Sequence, residues 1–169
     1  MSKSAKLKWN DGLEHEGTAY SIRPLLQEDL TAILQIERRS HKHPWSESNF
    51  QSSLKSHHCV GLFEQGETLL AYAVFTVVVK EAELLLFVVD RCFWGRGLAA
   101  AFLRNLIDSL SDHCSSVFLE LRKANNSAHY LYSAVGFNEI GVRPNYYPGT
   151  GGEKEDATLM ALDFAFGFN

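Results

Sequence analysis

The chain has 169 residues, of which 46% are hydrophobic and 21% charged, with 16 Lys and Arg against 20 Asp and Glu. That length suits one domain, and the composition excludes a disordered or fibrous chain. A formal net charge of −4 supplies no basic field for a phosphate backbone, so nucleic acid is not an expected partner.

Residues 1–18 read as a polar arm; their lysines precede no apolar stretch, so a secretory signal or membrane anchor is not expected and the cytoplasm is. Tyr20 to Arg23 alternates like a short strand, and Pro24 ends it. Leu30, Ile33, Leu34 and Ile36 then fall in helical register. His43-Pro44 breaks the chain, and Ser46 is placed to cap a second short helix carrying Phe50 and Leu54. Three strands follow, Cys59 to Phe63, Leu69 to Val79 and Glu83 to Val89, with turns at Gln65-Gly66-Glu67 and Lys80-Glu81. The longest apolar run, Leu69 to Val79, is far shorter than the roughly 20 residues of a bilayer span, so no membrane partner is expected.

From Gly97 the period changes, and Leu98, Phe102, Leu106 and Leu110 line one helix face. Val117 to Leu121 is again strand, Ser127 to Val135 helix with Gly136 as its left-handed cap, and the chain closes in two strands, the last over Ala157 to Phe166. The pattern predicts an α+β domain, a mixed sheet with helices on its faces. Cys59, Cys92 and Cys114 are odd in number and lack zinc or redox spacing, so reduced thiols are expected. The histidine pairs 41/43 and 57/58 have no third ligand at a suitable spacing, so no metal is expected.

The chemistry concentrates where the strand Phe87-Val88-Val89-Asp90 runs into Arg91-Cys92-Phe93-Trp94-Gly95-Arg96-Gly97 and then a helix. Glycines let a ligand approach the backbone, and a helix start offers free N–H groups and a positive dipole end. Such a turn suits a pyrophosphate, although a bare Gly-x-Gly also merely joins two elements. Glu120, flanked by Leu119 and Leu121 at a strand end, is a candidate proton acceptor, with pairing to Arg122 or Lys123 as the alternative. Trp45, Tyr146 and Tyr147 read as loop aromatics able to grip a peptide.

Trp94-Gly95-Arg96-Gly97-Leu98-Ala99 resembles the Gln/Arg-x-x-Gly-x-Gly/Ala turn of the GNAT superfamily of N-acetyltransferases, departing from it at Trp94. Leu119-Glu120-Leu121-Arg122 with Asn125, then Leu131-Tyr132 with Gly136-Phe137, resembles that family's following strand and helix. Pro44-Trp45-Ser46-Glu47 and Asn145-Tyr146-Tyr147-Pro148 narrow the likeness to the RimI type, which acetylates the amino-terminal alanine of a small-subunit ribosomal protein.

The resemblance implies a mostly antiparallel, twisted, seven-stranded sheet over residues 19–169, acetyl-CoA as co-substrate and no metal. It further implies pyrophosphate binding by Gly95, Arg96, Gly97, Leu98, Ala99 and Ala100, and pantetheine contacts from Phe87, Val88, Val89 and Asn125. Glu120 would be the base, Tyr132 the acid, and Trp45, Tyr146 and Tyr147 the acceptor contacts. A relative acting on a small amine, antibiotic or lysine side chain is the alternative, and a non-catalytic acetyl-CoA-binding subunit a further one.

Overall fold

Continuously buried central strands, β-branched and apolar in sequence, anchor one sheet, which the computed structural model describes together with its helices for residues 7–64 and 67–166. The elements in chain order are β1 (Gly12–His15), β2 (Thr18–Pro24), α1 (Leu30–Ser40), α2 (Glu47–Ser56), β3 (His58–Glu64), β4 (Thr68–Val78), β5 (Glu81–Val89), α3 (Leu98–Ser111), β6 (Ser116–Arg122), α4 (Asn126–Val135), β7 (Asn138–Pro148) and β8 (Lys154–Asp163). The strand order is β1-β2-β3-β4-β5-β6-β8-β7. Every neighbouring pair is antiparallel except β5 and β6.

The sheet therefore has eight strands, one more than the seven expected. The extra strand, β1, lies inside the segment read as a polar arm and pairs with β2 from Gly12↔Ser21 to His15↔Thr18. Leu7, Trp9 and Leu13 supply the reason: they pack against the main core. Their three apolar side chains were too sparse in a polar stretch to register as a strand. The expected Gln65-Gly66 turn lies outside the described residues.

Two apolar layers cover the two faces. On one, α3 and α4 bury Phe102, Leu106, Tyr132 and Val135 against Leu84, Val117, Leu119 and Leu121. On the other, α1 and α2 bury Ile33, Ile36 and Phe50 against Cys59, Tyr72, Val74 and Val88. Local signals set the helix ends as expected. Ser46 Oγ accepts the Asn49 N–H at 3.2 Å, and Gly136 closes α4 in the left-handed region at φ 110°. All three cysteines are free. Among the described residues no helix is long and apolar enough to cross a membrane.

The sheet is irregular at its centre. The β4–β5 ladder shifts register where Val74↔Leu86 gives way to Phe75↔Leu84, leaving Leu85 as an extra, bulged residue. The parallel β5–β6 ladder runs only from Glu81↔Ser116 to Leu84↔Leu119. Beyond the bulge the two strands splay apart.

Candidate active site

The splay opens a cleft of about 450 Å³. Phe87, Val88 and Val89 form its β5 wall, Trp94, Gly95, Gly97, Leu98 and Ala99 its turn end, and Asn125, Leu131 and Tyr132 its α4 side, with Ser40 and His41 closing it from α1. Segments far apart in the chain thus meet where the sheet is open.

Gly95 and Gly97 both adopt positive φ, 76° and 71°, a conformation costly for any residue with a Cβ. The backbone N–H groups from Gly95 to Ala100 have no acceptor among the described residues, so turn and helix start together offer a row of donors. Leu98 is buried while Arg96 is exposed, so Arg96 contributes its backbone to the turn's shape. Trp94 donates its indole N–H to the Val89 carbonyl at 2.8 Å and lies beside the Arg91 guanidinium, 5.5 Å from its ring centroid. It works as a tied aromatic wall, a role the sequence did not suggest.

Asn125 caps α4: its Oδ1 accepts from the Ala128 N–H at 3.2 Å and from Ser127 Oγ at 3.1 Å. Its amide hydrogens stay available to the cleft it lines. Tyr132 is buried, its ring set edge-on to Phe137 at 5.8 Å, and its hydroxyl has no hydrogen-bond partner among the described residues. Burial, and secondarily nearby Tyr147, pushes its pKa above the ordinary 10. The phenol is thus neutral and able to donate.

Glu120 is the first residue of β6 past the last β5 pair. Its neighbours Leu119 and Leu121 point into the α3/α4 layer, so strand alternation turns Glu120 toward the α1/α2 face. Of the two candidate proton-transfer groups, Tyr132 lines the cleft, whereas Glu120, on the other face of the sheet, is not among its lining residues. Glu120 is 19% exposed and paired with Arg143 of β7 at 2.8 Å, not with Arg122 or Lys123. Those cations instead meet Glu155 at 3.1 Å and Asp156 at 3.7 Å. Glu155 and Asp156 are thereby held in internal pairs.

Tyr146 and Tyr147 stand on β7 rather than in a loop. Register runs from Arg143↔Ala157 to Tyr147↔Glu155, so two extra residues bulge out there and Asn145 takes φ 54°. The two rings pack edge-on at 5.0 Å, with Arg122 4.6 Å from the Tyr147 centroid and Arg143 4.7 Å from that of Tyr146. Burial, then Glu120, pushes the Tyr147 hydroxyl up to about 12. Tyr147 is near enough to both Glu120 and Tyr132 to affect one and be affected by the other. The Trp45 ring packs on Phe50 at 5.5 Å, which makes it partly a core residue.

Sequence reasoning missed Glu37. Fully buried, it accepts from the Trp45 N–H at 2.9 Å, from His41 Nδ1 at 2.9 Å and from the Tyr72 hydroxyl, fixing the α1–α2 connection beside the cleft. A carboxylate on the helix face that also buries Ile33 and Ile36 was the available signal. Burial pushes its pKa up, but the hydrogen bonds from His41, Tyr72 and Trp45 outweigh that and hold it below the ordinary 4.5. Ionised Glu37 therefore stabilises the fold above its unfolded titration range, and that contribution fades as pH falls through the lower folded value. Glu37→Gln is expected to cost about 1–3 kcal/mol at neutral pH and to narrow the gap toward acid. Thermal melts of both proteins from pH 7 to pH 3 check this; parallel melting curves across that range would refute it.

Among the described residues no group of three or more His, Cys, Asp and Glu gathers as a metal site. A family model described as the acetyltransferase (GNAT) family matches residues 21–137. The chain is 40% identical over 143 residues to the ribosomal protein bS18-alanine N-acetyltransferase of Escherichia coli, covering 84% of this chain and 96% of that one. It is 32% identical to the like-named enzyme of Haemophilus ducreyi, covering 83% and 98%. The crystal structure of the ribosomal-protein-S18-alanine N-acetyltransferase from Escherichia coli superposes with a TM-score of 0.78, over 85% of this chain and 93% of that one.

Proposed function

This chain belongs to the GNAT acetyltransferase family, and from that premise we propose that it moves the acetyl group of acetyl-CoA directly to the α-amino group of a protein beginning with alanine. Ribosomal protein bS18 of the small subunit is the acceptor, which puts the reaction in the cytoplasm. The observation that carries this reading is the 40% identity spread over 143 residues, which includes both flanks of the cleft. Residues 19–169, together with β1 at the sheet edge, act as one catalytic domain.

The α-amino group has a pKa near 7.7–8.0 and is mostly protonated at neutral pH, so it must lose a proton before it can attack a thioester. Glu120 takes that proton through a water, from the α1/α2 face. The amine nitrogen then bonds to the acetyl carbon, the C–S bond breaks, and the sulfur collects a proton from Tyr132 on the other face. Of the two protons the ammonium gives up, one is replaced on the sulfur by way of Tyr132 and one goes to solvent. The free N–H groups from Gly95 to Ala100 hold the pyrophosphate, with Arg96 shaping the turn. The β5 edge at Phe87, Val88 and Val89 and the Asn125 amide hold the pantetheine arm. A backbone donor on that edge polarises the thioester carbonyl.

Trp45 on one side and Tyr146 with Tyr147 on the other line the acceptor path, leaving room for a small first residue. An Ala-initiated peptide is thus expected to be acetylated with kcat/KM at least about tenfold above that for free lysine, a polyamine or an aminoglycoside. A panel assay with purified protein and acetyl-CoA measures this. A better rate on the free amines would move the assignment to a small-amine acetyltransferase.

A further inference from the structure

The turn from Trp94 to Ala100 is braced by chain that precedes the residues matched by the family model. His15, the last residue of β1, places Nε2 2.7 Å from the carbonyl oxygen of Arg96. A carbonyl only accepts, so Nε2 carries the hydrogen and donates it. The same ring lies 3.4 Å from where a Cβ on Gly97 would stand. His15 itself does not line the cleft; it grips the turn from outside.

The rest of the segment anchors that grip. The Asn105 side-chain amide of α3 donates to the Gly12 carbonyl at 3.1 Å, and the Asn10 N–H donates to Ser109 Oγ at 3.0 Å. Trp9 packs on Phe75, with centroids 5.6 Å apart. Strand, helix and turn are tied at several points, so the His15 ring has a fixed base from which to hold Arg96.

A turn binds an anion only when its N–H groups face the anion and its carbonyls face away. Arg96 sits between two glycines in the left-handed region, where the backbone has most freedom to rotate a peptide plane. A carbonyl swung inward would set its negative end against a phosphate. We infer that His15 is a positioning residue for the co-substrate: its Nε2–H holds the Arg96 carbonyl outward and so keeps the donor row from Gly95 to Ala100 facing the pyrophosphate. The inference rests on reading the cleft as the acetyl-CoA site.

The test compares the full chain with His15→Ala and His15→Gln, using calorimetric acetyl-CoA affinity and steady-state kinetics on an Ala-initiated peptide. One hydrogen bond is at stake, so His15→Ala is expected to raise Kd and KM for acetyl-CoA about three- to tenfold. Saturated kcat and peptide KM should stay within about twofold. The glutamine amide donates from a position close to that of Nε2, so His15→Gln should recover most of the affinity. An unchanged Kd in His15→Ala, a loss confined to kcat, or no recovery in a folded His15→Gln overturns the inference while leaving the acetyl-CoA reading intact. Failure of the unsubstituted protein to bind acetyl-CoA overturns both.

Discussion

Glu120→Gln is expected to lower kcat at neutral pH by about 10²-fold or more while acetyl-CoA affinity remains near that of the parent protein. The substitution keeps the shape of the side chain and removes its ability to take a proton. Three features of the fold support the proposed role of this residue as the base. It is the first position of β6 past the last parallel pair with β5, it faces away from the α3/α4 layer that carries Tyr132, and its charge reaches Tyr147. Glutamine also dissolves the pair with Arg143. That guanidinium side chain is 48% exposed, so the stability cost should be no more than about 1 kcal/mol, and melting should confirm a folded variant.

The pH profile separates a lost base from a misplaced acceptor. Above pH 8 the free α-amino group deprotonates in solution, so the deficit of Glu120→Gln should shrink as pH rises, whereas a merely misplaced acceptor would leave a constant deficit. Rates measured from pH 6.5 to 9.5 decide between these. A rate and profile like those of the parent protein would take Glu120 out of the mechanism.

The local structure around the candidate site was legible where it rests on local chemistry. The glycines at 95 and 97 announce a turn and a helix start, and Val117 to Leu121 a strand, in the sequence itself, whereas Asn125 and Tyr132 stood out only through the family resemblance. What was illegible depends on distant partners. Arg143 reaches Glu120 only because β7 and β8 lie beyond β6 in the sheet, and no spacing rule links positions 23 residues apart. His15 meets Arg96 across 81 residues, through a segment whose apolar side chains, Leu7, Trp9 and Leu13, are scattered among polar ones. Tyr146 and Tyr147 look like loop residues beside a proline and a glycine, yet the two-residue bulge at Asn145 lets β7 continue through them. Glu37 shows the same limit from inside the core, where a charge is tolerable only because donors from β4 and from the loop after α1 converge on it.

Tyr132→Phe is expected to lower kcat by about 10²-fold, through the leaving group rather than the nucleophile. The ring stays, still buried and edge-on to Phe137, and the hydroxyl it loses bonds to nothing else among the described residues, so folding should be little affected. Deleting it removes a neutral donor on the α3/α4 side of the cleft whose pKa is held above the ordinary range, and the departing thiolate must then be protonated by solvent. The ascending limb of the pH profile should survive, because Glu120 still takes the proton from the amine. The deficit should not shrink at high pH, since a more alkaline solvent is a poorer proton donor to sulfur. Tyr132→Phe and Glu120→Gln therefore diverge above pH 8, one flat or worsening and the other recovering. Parallel recovery of both, or a normal kcat in folded Tyr132→Phe, would show that the hydroxyl takes no part in the transfer.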